Sequence, residues 1–134
     1  MKKLLLMILP VIVLASCGGG GTQPPVKTQL QTRDIQSRSF DTGDREMVMR
    51  STLGTMQDLG FIIGRADDAL GTISGTAISN RASMTVSVRP VGTERIIVRA
   101  NIQHGARVVT DPAAYQAFFD SLSQSMFLAA HMID

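Results

Sequence analysis

The chain has 134 residues, with 13 basic and 11 acidic side chains and a formal charge of +2. Lys2 and Lys3 account for that excess. Over the remainder 11 basic side chains balance 11 acidic ones, so net charge gives no reason to expect nucleic acid or anionic lipid as a ligand. A single cysteine excludes an intrachain disulfide, so the folded part must be held together by its core alone.

Met1-Lys2-Lys3 is a short cationic start, and Leu4 to Ala15 is an uncharged run, apolar apart from Pro10. An apolar run of roughly 7–15 residues behind positive charge, ending in small residues, is an export signal. A membrane-spanning helix needs about 20 apolar residues, and here glycines intervene first. Leu14-Ala15-Ser16-Cys17 resembles the bacterial lipobox. That resemblance implies cleavage before Cys17, a diacylglycerol thioether on its sulfur and acylation of its new amino group. Several acyl chains give durable anchoring, because each buried CH₂ contributes about 0.8 kcal/mol and one chain alone holds only marginally. In Gram-negative lipoproteins an Asp after the cysteine retains the protein in the inner membrane. Gly18 stands there instead, which implies the periplasmic face of the outer membrane. Gly18–Gly21 and Thr22-Gln23-Pro24-Pro25 lack any apolar pattern and read as a flexible tether that stiffens toward its end. The expected organisation is a signal peptide over 1–16, a lipidated tether over 17–26 and one domain over 27–134.

Within that domain, Leu30, Ile35 and Phe40 are the large apolar residues of a loosely alternating polar segment, which predicts an edge strand over 30–40. Asp41 offers an N-cap, with Asp44 and Glu46 adding negative charge at the start of a helix. Val48, Met49, Leu53, Met56 and Leu59 recur at helical spacing, and Gly60 suits a left-handed C-terminal cap. Helix one is therefore expected over 42–59. Phe61–Ile63 predict a short strand, 66–71 a turn and 72–79 a strand of small residues.

Two stronger strands follow, over 83–91 and 95–104. A three-residue loop, Gly92 to Glu94, pairs Val91 with Arg95, Val88 with Val98, Val86 with Ala100 and Met84 with Ile102. A loop one residue shorter would set Val86 against Arg99, and such a slip turns every side chain to the wrong face. The same register puts Ser87 opposite Arg99 and Thr85 opposite Asn101 on a polar second face. Asp111-Pro112 then predicts an N-cap with proline at the first helical position. Tyr115, Phe118, Phe119, Leu122, Met126 and Ala129 make an apolar stripe over a helix spanning 112–130. The order β-α-β-β-β-β-α predicts an α+β two-layer sandwich, an antiparallel sheet of about five strands with two helices on one face.

Gln31-Thr32-Arg33, Met56 to Phe61, Ile97-Val98-Arg99, Tyr115 to Phe119 and Phe127-Leu128 resemble segments of small Gram-negative outer-membrane lipoproteins to which no activity is attached. The order of elements is also similar, in architecture alone, to domains of the C-type lipoprotein of the β-barrel assembly machine. Architecture does not carry function.

Catalytic and metal-binding patterns do not emerge. His104 and His131 have no cysteine or spaced histidine partner for a metal and read as solvated or capping residues. Asp67-Asp68 lacks the rest of a calcium loop and reads as a turn. The glycine run has no following Gly-Lys-Ser/Thr, no Gly-x-Ser-x-Gly elbow occurs, and the aromatics form a core stripe without interleaved basic residues. No cofactor, metal or nucleic-acid partner is expected.

What remains is the polar sheet face, where Arg89 and Arg99 stand among Thr85, Ser87 and Asn101. Either it is simply solvated or it docks an envelope protein through the forked donors of its arginines. The first functional expectation is therefore a non-enzymatic accessory lipoprotein, held to the membrane through Cys17 and binding a protein partner. The alternative is a small periplasmic binder of lipid, glycan or peptide, which needs a pocket between sheet and helices. A hydrolase stands last, for want of a nucleophile with a base.

Overall fold

Described over residues 28–132 by a computed structural model, the chain combines an antiparallel sheet with three helices, an α+β fold. The elements in chain order are α1 (Gln29–Gln36), β1 (Ser37–Phe40), α2 (Arg45–Asp58), β2 (Phe61–Asp67), β3 (Thr72–Ala77), β4 (Ser83–Val91), β5 (Arg95–His104), β6 (Arg107–Val108) and α3 (Pro112–His131). The sheet order is β1-β5-β4-β3-β2, with the two-residue β6 paired to β5. The expected signal peptide, Cys17 and tether lie outside the described residues.

The β4–β5 hairpin has the three-residue connection and the predicted register: Val88 pairs with Val98, Val86 with Ala100 and Met84 with Ile102. These six side chains are all buried. They meet Val48, Met49 and Met56 of α2 and Tyr115, Phe118, Phe119, Leu122 and Met126 of α3 in one core. α3 follows the predicted span closely, with Asp111 capping the Ala113 amide at 3.0 Å and proline at its start.

Four expectations need correction. The segment 30–40 is not one strand but α1 followed by β1. Thr28 and Gln31 form a reciprocal capping box, with the Gln31 amide donating to Thr28 Oγ1 and the Thr28 amide donating to Gln31 Oε1. Satisfying two otherwise orphaned amides outweighs a weak alternation that has too few apolar residues to fill a strand face. Leu30, counted as a strand residue, is 71% exposed. The fold thus has three helices, and its order begins with α1.

Helix α2 starts later than expected: Asp44 is its N-cap and accepts from the Met47 amide at 3.0 Å, while the Asp44 amide donates to Thr42. Gly60, at φ +89°, ends it in the left-handed region. β2 runs on to Asp67 through an irregularity between Ile63 and Arg65, so the following turn is shorter. β6, with no apolar alternation of its own, extends the sheet by pairing with Gln103 and His104.

Gly75 lets β3 lie close against β2 beside its irregularity. A Cβ there would stand 2.7 Å from the Ile62 carbonyl oxygen, so the neighbouring strand's backbone leaves room for glycine alone, with Met56 Cε of α2 in ordinary contact above it. Arg38, on the core-facing side of edge strand β1, covers the Phe119 ring at 5.0 Å and ends in an ion pair with Asp120 at 3.2 Å. Its stem contributes apolar contact while its charge stays near solvent.

Candidate functional site

The solvent-facing side of the sheet is built by the same alternation that fills the core. One rung crosses five strands: Ser37 pairs with Arg99, Arg99 with Ser87, Ser87 with Thr72 and Thr72 with Asp67. The next rung sets Asn101 beside Thr85, Thr85 beside Ser74 and Ser74 beside Arg65. Arg89 pairs with Ile97, two residues from Arg99, so the two arginines are diagonal neighbours on one face. Cβ atoms in that relation are within about 7–8 Å. Both side chains are exposed, and among the described residues neither makes an ion pair. Ser37 and Ser87 flank Arg99 across the strands, while Arg89 stands opposite the half-exposed Ile97.

At the far edge of this face the charges are internally paired. Leu70 donates its amide to Asp67 Oδ1 at 2.9 Å, and Arg65 reaches Oδ2 at 3.4 Å. These contacts, the Leu70 hydrogen bond foremost, hold the Asp67 carboxyl below the ordinary carboxylate range. Asp68 is engaged by Arg45, whose guanidinium contacts both its carboxylate and its backbone carbonyl. The two aspartates thus serve a turn. Among the described residues no group of three or more His, Cys, Asp or Glu side chains could hold a metal. His131 packs on Phe127 with ring centroids 4.0 Å apart and places Nδ1 2.7 Å from the Phe127 carbonyl oxygen, while His104 is exposed at the end of β5.

Two features escaped the sequence. Arg99 lines a groove of about 260 Å³ with Gln29, Thr32, Arg33 and Gln36 of α1. The signal for it was the Thr28-x-x-Gln31 capping box, which announces the helix that carries Arg33. A second groove, about 240 Å³, opens where the ends of α2 and α3 part above the sheet. Leu59, Phe61, Met84, Ile102, Val109 and Ala117 give it an apolar lining, with His104 at its edge. No described helix is long and apolar enough to cross a membrane.

No protein-family model matches the chain, and no curated protein matches it in sequence.

Proposed function

We propose that this protein is a non-enzymatic accessory lipoprotein of the bacterial envelope, belonging with the small Gram-negative outer-membrane lipoproteins it resembles. In this reading residues 1–16 are a signal peptide and acyl chains on Cys17 hold the chain to the periplasmic face of the outer membrane. The folded part is a two-layer sandwich that turns its helix-free sheet face toward a protein partner.

One observation carries the docking role: Arg89 and Arg99 are adjacent, exposed and without an acidic partner among the described residues. A guanidinium offers five donors in a planar fork that matches a carboxylate, and around the two arginines the face mixes the short side chains of Ser37 and Ser87 with the exposed Ile97 and Val91. The apolar groove at the helix ends supports a second reading, a binder of a small lipid, glycan or peptide. Its volume of about 240 Å³ is below the range of about 300–1,000 Å³ that encloses a drug-sized ligand, so docking is the better supported of the two.

The test is a double charge reversal, Arg89→Glu with Arg99→Glu, followed by crosslinking in intact membranes. Exposed arginines contribute little to stability, whereas reversed charge at an interface costs several kcal/mol. The melting temperature should barely move and the crosslinked partner should be lost. Equal recovery of the same partners by wild type and double variant rejects this face as the docking surface.

A further inference from the structure

The groove between α1 and β5 brings two guanidinium-bearing residues together from elements far apart in sequence. Arg33 comes from the helix and Arg99 from the strand, with Gln29, Thr32 and Gln36 completing the lining. No carboxylate lines it. Asp34, the next residue after Arg33, lies instead in a separate groove with Arg38 and Phe119. Among the described residues neither Arg33 nor Arg99 is ion-paired. Like charges sharing a groove repel unless an anion or solvent screens them, and nothing within the described fold supplies the anion.

We propose that this groove is an anion site that takes a phosphate group. The Thr32 hydroxyl is spent on the Thr28 carbonyl and the Gln36 amide on Tyr115, but the two guanidinium forks with the Gln29 amide still offer more donors than the two oxygens of one carboxylate can accept. A phosphate group, with more oxygens and more charge, answers both guanidinium groups at once. The source is a lipid headgroup. Thr28, where the described chain begins, follows Cys17 by 11 residues, a distance that spans at most about 40 Å. A domain so tethered keeps its first helix within reach of the bilayer surface. The lipid source rests on the anchoring proposed above; the anion site itself does not, because residues 29–99 alone form it. Arg99 is shared with the proposed docking face, so headgroup and protein partner are alternative occupants there; Arg33 belongs only to the groove and Arg89 only to the face, so single variants separate the two.

Full-length protein labelled with ¹⁵N-arginine and held in a zwitterionic detergent allows the Nε–H signals of Arg33 and Arg99 to be followed directly. Inorganic phosphate should shift both in a saturable way that chloride at matched ionic strength does not reproduce. Arg33→Gln should weaken that binding at least about tenfold, the loss of one charge-assisted contact, while Arg89→Gln should leave it unchanged. Dihexanoyl-phosphatidylglycerol should shift the same two signals, and its failure where phosphate succeeds would overturn the lipid source. Absence of any shift, equal shifts with chloride, or equal affinity in Arg33→Gln would each overturn the site.

Discussion

Tyr115 is the one tyrosine of the chain and is 1% exposed, yet its hydroxyl is fully used. It donates to the Val109 carbonyl at 2.7 Å and accepts from the Ile102 amide and from Gln36 Nε2, both at 3.2 Å. One donor and two acceptor positions are all a phenol has. The position explains the need. β1 pairs with β5 only as far as Arg99 and β6 begins again at Gln103, so Ile102 lies where neither short strand supplies an acceptor for its amide. Tyr115→Phe keeps the ring and strands those groups, at a cost of about 1–3 kcal/mol for a buried unsatisfied donor or acceptor. The urea midpoint should fall with the slope unchanged; an unmoved midpoint would mean that water replaces the hydroxyl without loss. The stripe of apolar residues revealed that Tyr115 is buried, but its polar role depends on where two strands stop, which no local pattern encodes.

Among the elements, α3 and the β4–β5 hairpin were legible because their apolar periods are long and unbroken, and because one register alone buries all six inward side chains. α1 was not, since its stability comes from a capping box and from docking beside β1, with Leu30 left in solvent. β2 ran past its apolar start because Gly64 and Arg65 absorb an irregularity that breaks the alternation. The weight of the fold falls on α3. Phe119 is 1% exposed, meets Phe118 edge-to-face at 5.1 Å and lies beneath Arg38. Phe119→Ala should cost about 3–5 kcal/mol, a large share of the roughly 5–15 kcal/mol that small domains possess. Chemical denaturation of wild type and variant measures it, and a loss under about 1 kcal/mol would contradict this account of the core.

For the whole molecule, one sheet face is spent on the core and the opposite one is exposed, with Arg65 and Asp67 paired to each other and Arg89 and Arg99 without an ion pair among the described residues. That half of the candidate site could be read from the hairpin register. The Arg33 half could not, because it required α1 to exist and to lie beside β5. The proposed lipid anchor gives this asymmetry a setting: a domain held at a membrane has a near side, where the chain leaves for Cys17, and other surfaces free to meet partners. The claim on which that setting depends is acylation of Cys17. Metabolic labelling with radioactive palmitate, with wild type and Cys17→Ala compared in fractionated envelopes, tests it directly. The wild-type protein should be labelled and found in the outer-membrane fraction, and the variant should be unlabelled and either uncleaved or misrouted. A Cys17→Ala variant that still takes up palmitate and still sediments with the outer membrane would contradict it.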